Sequence, residues 1–404
     1  MKILQICKKF PFPFKDGESI AIHQLSKSLH HLGAEVTLLA MNTSKHFFEG
    51  KNYPPELDHY KEIVTEQVDN RLKAKDAFLN LFSRDSYHIS RFVAPAFGKR
   101  LATILQNQEF DIIQLETLYL APYIPVIRKH SNAPVVLRAH NVEHEIWERI
   151  ARHTPTGPKK WYLQHLAEKL KRYEVSCLNN IDLLVAISER DLKNFKQLGC
   201  RKPGFVTPIG IDAKNYQPDF RSIKKEPALA FIGSLDWMPN REGLIWFLHN
   251  IWPGLLQRFP KLQLHIAGRN TPDWLEKKQI PNVTFHGEVE DAPTFLNQYP
   301  IMIVPLLSGS GMRAKILEGM ALGKAILTTK LGLEGIDAQH KKEVWVADDL
   351  PDYLQFFDHL ESVGLNEIQA MGTRAKTFVE GRYDSDHIAR QLMHLFASLS
   401  VEAI

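Results

Sequence analysis

The segment from Ile301 to Leu327 constrains this chain more than any other stretch. Ile301, Met302, Ile303 and Val304 read as the end of a buried strand, and a Ser/Gly loop comes next. A helix follows, and Ala325 to Leu327 reads as a second buried strand. A strand that feeds a glycine-rich turn and then a helix start aims backbone N–H groups, and the positive end of the helix dipole, at one small volume. Arg313 and Lys315 add two cations there, so a diphosphate suits the pattern. Glu318 lies three residues after Lys315, on nearly the same helical face and ~5 Å further along the axis. A carboxylate so placed can accept both hydroxyls of a ribose while the cations hold the phosphates. An isolated Lys315/Glu318 pair would read as a surface ion pair; the flanking buried strands and the paired glycines, Gly309 and Gly311, favour a nucleotide-diphosphate site.

The same residues resemble the donor-binding signature of retaining glycosyltransferase family 4. That family pairs two glutamates across a seven-residue spacer; Glu318 matches the second, ribose-binding one, and Ser310 stands where the first would be. The string Gly309-Ser310-Gly311-Met312-Arg313-Ala314-Lys315 is similar to the GSG-x-R-x-K version found in one branch. The resemblance implies an α/β protein of GT-B architecture, with two facing Rossmann-like domains, parallel sheets and a cleft between them. It implies a metal-independent hexosyl- or glycosyltransferase that moves a sugar from a nucleotide diphosphate sugar to a glycan or lipid-linked acceptor, in cell-surface polysaccharide or glycoconjugate synthesis. No cofactor is expected beyond that co-substrate, and Arg313 and Lys315 would neutralise the departing diphosphate.

Length and composition bound the alternatives. At 404 residues the chain suits two domains. Its 44% hydrophobic and 24% charged content is that of a soluble globular protein, and a net charge of +4 implies no nucleic-acid partner. The 18 histidines are scattered, without HExxH or paired His/Cys spacing, so no metal is expected. Cys7, Cys177 and Cys200 read as free thiols in a reducing compartment. Met1 to Lys8 reads as a first buried strand and not as a leader, and no run reaches the length of a membrane span. Cytoplasmic residence is the expectation.

Taken in order, strand Ile3–Cys7, a Pro-rich loop, helix Ile20–Leu32, Gly33 and strand Glu35–Ala40 form a βαβ unit. Gly17, just before the helix, either approaches a ligand or belongs to a plain helix cap; the resemblance places it against the donor phosphates. Lys51 to Arg100 is less regular. Its basic and apolar segment Arg71–Phe82 reads as a core-packed helix, with contact to an anionic inner-membrane surface as the alternative. Further strands are expected at Asp111–Leu115, Pro134–Arg138 and Asp182–Ala186. The string Ala139-His140-Asn141-Val142-Glu143-His144 follows one of them, where open α/β sheets bind ligands. His140 there either contacts the transferred sugar or acceptor, the role the resemblance implies, or caps the next helix.

The expected division is residues 1–212 as the acceptor domain, 213–227 as a linker, 228–383 as the donor domain and 384–404 as a terminal helix, which in GT-B enzymes packs back on the first domain. The donor domain opens with strand Ala228–Ile232 and the turn Gly233-Ser234, where many relatives carry an arginine and, six residues later, a lysine; Ser234 and Asn240 stand here instead. The loop Gly287–Val289 resembles the turn whose backbone meets the nucleobase, so Gly287 and Val289 join Gly17, Gly233, Ser234, Ser310, Gly311 and Glu318 as donor-binding candidates. His140, Arg313 and Lys315 are the catalytic candidates. No GxxxxGK[ST], GxGxxG or GxSxG string supports an ATPase, a dehydrogenase or a hydrolase. A nucleotide-sugar 2-epimerase of the same shape and a catalytically silent glycan-binding protein remain as rivals.

Overall fold

The computed structural model describes residues 1–404 apart from 15, 45–46, 50–51, 84, 225–227 and 403–404. The chain folds into two units, residues 1–210 with 310–312 and 385–404, and residues 211–309 with 313–384.

The first unit is built on a seven-stranded sheet of β1 (Lys2–Cys7), β2 (Glu35–Thr43), β3 (Tyr60–Val68), β4 (Ile112–Leu115), β5 (Val135–Ala139), β6 (Leu183–Ala186) and β7 (Gly204–Val206), in the order β3-β2-β1-β4-β5-β6-β7. The named strand pairings are parallel, for example β1 with β2 and with β4. Its central strands are near-continuous apolar runs because helices cover both faces. Leu4, Ile6, Ile113, Leu115, Val135 and Leu137 enter one buried cluster. Ile3, Cys7, Ile112 and Val136 enter the other. That second cluster also takes Ile22, Leu25 and Leu29 from helix Gly17–His31 and Ala389, Leu392 and Phe396 from the C-terminal helix Ser385–Glu402. Helix Gly17–His31 ends at Gly33, whose φ of 87° suits glycine, and the Ala34 N–H reaches back to the Leu29 carbonyl at 3.0 Å.

Strand β3 falls in the stretch whose sequence shows no clear period. Its residues, Tyr-Lys-Glu-Ile-Val-Thr-Glu-Gln-Val, include three charged ones, and seven of the nine are half-exposed or exposed, which fits an edge strand. Nearby, the core-packed reading of Arg71–Phe82 is corrected: only Ala74–Asn80 is helical, and Leu72, Leu79 and Phe82 are 76%, 55% and 80% exposed.

The second unit carries a six-stranded parallel sheet of β8 (Ala228–Ile232), β9 (Gln263–Ala267), β10 (Val283–Gly287), β11 (Ile301–Val304), β12 (Ala325–Thr328) and β13 (Trp345–Val346), ordered β10-β9-β8-β11-β12-β13. Leu229, Phe231, Leu264, Ile301, Ile303 and Leu327 form its core with Leu244, Phe247, Leu248 and Ile251, the four apolar residues at helical spacing after Gly233. Both sheets thus reverse direction at one place, between β1 and β4 and between β8 and β11, and ligands of open α/β sheets bind outside the carboxyl ends of the strands at such a point.

The segment that reads as a linker folds onto the second unit. Short 3₁₀ turns span Ala213–Asn215 and Phe220–Lys224, Tyr216 and Ile223 are buried, and Lys324 Nζ donates to the Asp219 carbonyl at 3.3 Å. Its remaining residues, 225–227, lie outside the described ones.

Candidate functional site

At the reversal point of the first sheet, three polar side chains interrupt otherwise apolar strands. Gln5 of β1 lies opposite Gln114 of β4, and Gln114 lies opposite Val136 of β5. Arg138, two residues on, therefore shares their face. All three converge on Glu116, just past the end of β4. Glu116 Oε1 accepts from Gln5 and Gln114 at 2.5 Å each, and Oε2 accepts from Arg138 at 3.2 Å and faces His140 Nε2 at 2.8 Å. Burial alone would raise the Glu116 pKa, but Arg138 and His140 reverse that and hold it at about 2.

Against an ionised carboxylate the His140 Nε2 carries the hydrogen, so in the neutral ring Nδ1 is the acceptor. Burial and then the Arg138 charge lower the His140 pKa, which favours that neutral ring. The arrangement can accept a hydrogen bond, or a proton, from a hydroxyl. Beside it, Glu174 of helix Pro158–Cys177 caps helix Glu143–His153, accepting from the Glu143 and His144 N–H groups at 3.0 and 3.3 Å and facing His144 Nδ1 at 2.5 Å. Burial raises the Glu143 pKa, and Tyr119 donates to its carboxylate at 3.0 Å.

At the reversal point of the second sheet, helix Ala314–Ala321 begins with Arg313 as its N-cap and Lys315 in its first turn. Lys315 Nζ reaches back to β8, donating to Asn240 Oδ1 at 2.8 Å and to the Ile232 carbonyl at 3.3 Å. Burial, then repulsion from Arg313, pushes its pKa down to about 7. Gly233 is the close-approach position: a Cβ there would lie 2.9 Å from the Asn240 amide and 3.2 Å from Lys315 Nζ. One turn along the helix, Glu318 is half-buried and accepts from the Tyr216 hydroxyl at 2.9 Å through Oε1. Burial raises its pKa, against the Tyr216 hydrogen bond and Lys315.

The second unit therefore holds Gly233, Ser234, Arg313, Lys315 and Glu318, with Gly287 and Val289 at the end of β10, and the first unit holds Gly17, His140, Ser310 and Gly311. Ser310 and Gly311 belong to the first unit, where Gly311 has a φ of 77° and a Cβ would lie 2.4 Å from Asn141 Oδ1. Gly17 is the first residue of its helix, exposed, beside the cap in which Asp16 accepts from the Ser19 N–H at 3.0 Å and from Lys9. Gly287 ends β10 with a φ of 67°, its carbonyl accepting from the Gly268 N–H at 2.7 Å, and Val289 is half-buried in the loop beyond. Sequence reasoning missed Glu116, Arg138, Glu143, Glu174, Tyr216 and Arg269. The available signal for the first two was polarity inside or directly after an apolar strand. Among the described residues no three His, Cys, Asp or Glu side chains are grouped to hold a metal ion.

Two family models match the chain, one described as Glycosyltransferase Family 4 over residues 16–215 and one as Glycosyl transferases group 1 over residues 226–361. The chain belongs to these glycosyltransferases. Its two parallel sheets are those of the GT-B type. This glycosyltransferase is similar to sucrose-phosphate synthase from Thermosynechococcus elongatus, at 14% identity and a TM-score of 0.74 with 100% of each chain covered. It also resembles the Anabaena protein HepE in complex with UDP-glucose, at 16% identity and a TM-score of 0.66, covering 98% of this chain and 100% of that one. Among curated proteins it is 23% identical to an uncharacterized 44.6 kDa protein in the cps region of Klebsiella pneumoniae, over 96% of this chain and 97% of the relative.

Proposed function

We propose that this glycosyltransferase moves a sugar, with retention at the anomeric carbon and without a metal, from a nucleoside diphosphate sugar to a glycan or lipid-linked acceptor in surface-polysaccharide synthesis. One observation carries the reading. A single helix presents a dipole end and Lys315 at the sheet's reversal point, and one turn on presents Glu318, whose Oε2 has no hydrogen-bond partner among the described residues. Cations and N–H groups suit two phosphates, and the carboxylate oxygen suits the ribose hydroxyls. The Klebsiella relative's place in a cps region supports the polysaccharide assignment.

In this mechanism the bond between the anomeric carbon and the phosphate oxygen breaks as the acceptor oxygen attacks the same face. The acceptor proton passes to the departing diphosphate, whose charge Lys315, Arg313 and the helix start stabilise. His140, neutral and accepting through Nδ1, orients a sugar or acceptor hydroxyl.

Incubation with UDP-, GDP- and ADP-sugars and candidate glycan acceptors tests the reading. Release of nucleoside diphosphate together with a product of unchanged anomeric configuration is expected. Epimerised sugar formed without acceptor, or nucleotide binding with no turnover on any acceptor, would replace it with one of the two rivals.

No helix among the described residues is long and apolar enough to cross a membrane. For a lipid-linked acceptor we propose contact with the membrane surface through the exposed Leu72, Leu79 and Phe82. Insertion of apolar groups would dominate, because Asp69 already engages Arg71 and Lys73. The chain should sediment with phosphatidylglycerol vesicles, and a Leu72→Asp/Phe82→Asp variant should remain in the supernatant. Wild-type protein that also stays in the supernatant would dispose of the membrane contact.

A further inference from the structure

Lys315 is not a sufficient counterion for a diphosphate. With its pKa near 7, about half of its amino groups are uncharged at neutral pH before a ligand binds, whereas a nucleoside diphosphate brings roughly three negative charges. Arg313, the N-cap of the same helix, is a permanent cation but stands on the same β11 side, so a further permanent cation on the β9 side would complete the site.

Arg269 supplies one. It follows Gly268 at the end of β9, next to β8, and its backbone carbonyl accepts from the Leu235 N–H at 3.0 Å. Its Nε donates to Ser234 Oγ at 2.9 Å, and Ser234 Oγ in turn donates to Asp236. Asn240 Nδ2 donates to the Ser234 carbonyl at 2.9 Å, and Asn240 Oδ1 holds Lys315. Lys315, Asn240, Ser234 and Arg269 thus form one hydrogen-bonded string across the strand ends at the reversal point. Backbone packing keeps the string's position: a Cβ at Gly268 would lie 2.0 Å from the Gly233 carbonyl oxygen, so the turns after β8 and β9 touch directly. Arg269 is half-buried and forms no ion pair among the described residues. Ser234 engages only Nε, so the guanidinium's two terminal NH₂ groups keep the planar, two-pronged geometry that matches a phosphate.

We infer that Arg269 is a diphosphate-binding residue, oriented by Ser234, that grips the nucleoside diphosphate from the β9 side while Lys315 grips it from the β11 side. The inference rests on the nucleotide reading of this unit. It also gives Ser234 a role: a hydroxyl there accepts from Arg269 Nε and fixes which edge of the guanidinium faces outward.

Calorimetric titration with UDP and uridine, then GDP with guanosine and ADP with adenosine, tests it on wild type, Arg269→Met, Arg269→Lys and Ser234→Ala. Arg269→Met should weaken the preferred nucleoside diphosphate about tenfold or more, as loss of a charge-assisted pair requires, and leave the matching nucleoside unchanged. Arg269→Lys should recover part of the loss, and Ser234→Ala should give an intermediate one. The salt dependence of diphosphate binding should flatten in Arg269→Met. Diphosphate affinity unchanged in Arg269→Met, while Lys315→Met loses it, would overturn the role of Arg269 and leave the nucleotide site standing. Wild-type protein that binds no nucleoside diphosphate would overturn both. Should Arg269→Met fail to fold, the same comparison decides on Arg269→Lys, where an affinity equal to wild type at both low and high salt, with Ser234→Ala also unchanged, counts against the inference.

Discussion

Lys315→Met should lower turnover by about a hundred- to a thousandfold, the scale on which a single preorganised electrostatic contact to a transition state acts. Methionine keeps most of the side-chain volume in a place where Nζ sits 5.1 Å from the Phe231 ring, so the helix and sheet should pack as before. What disappears is the positive charge that stabilises the leaving diphosphate. The amine also predicts a signature in pH. Its pKa in the free protein is about 7 and an anion raises it, so binding takes up a proton; affinity should fall by up to about tenfold per pH unit above neutrality. In Lys315→Met that slope should be absent between about pH 7 and 9. Diphosphate affinity against pH, measured on both proteins, decides the matter, and parallel curves would show that Lys315 does not touch the ligand.

Glu116→Ala should cost the first unit about 3–5 kcal/mol of stability, because it strands a buried charge. Arg138 is 1% exposed, and among the described residues its guanidinium reaches, besides Glu116, only the Ala21 carbonyl at 3.4 Å. Gln5 and Gln114 lose their common acceptor in the same step, and His140 loses the partner that fixes its tautomer. The double variant Glu116→Leu/Arg138→Met should recover much of the loss, since an apolar pair leaves no unpaired charge. Acid should act in the same way. The depressed pKa means that the native first unit holds fewer protons than the unfolded chain. The contribution of Glu116 is therefore complete above its ordinary pKa and is lost as pH falls towards about 2. Denaturant unfolding followed through Trp147, in the first unit, would read the change; a midpoint equal to wild type would mean that the network is not structural.

The apolar runs and glycine turns made both sheets legible. Strands β1, β4, β5 and β6 and the strand, loop, helix and strand around Lys315 fall within a residue or two of where periodicity puts them. Strand β3 was hidden because an edge strand needs little apolar surface. Gln5, Gln114 and Arg138 are visible as polar residues in buried strands, but their meeting at Glu116 depends on register, which no single strand carries. Tyr216 is a different failure. It lies 102 residues before Glu318, in a stretch whose charge and proline content read as a linker. Arg269 follows an apolar strand as many surface arginines do, and only the close approach of Gly268 to Gly233 brings it to Ser234.

The most direct test of the nucleotide reading is a crystal structure with a bound nucleoside diphosphate, chosen from UDP, GDP and ADP by calorimetry. The diphosphate should lie at Lys315 Nζ and the N–H groups of the first helical turn, with both ribose hydroxyls on Glu318. A nucleotide bound elsewhere, or bound with Glu318 still joined to Tyr216 alone, would contradict the account.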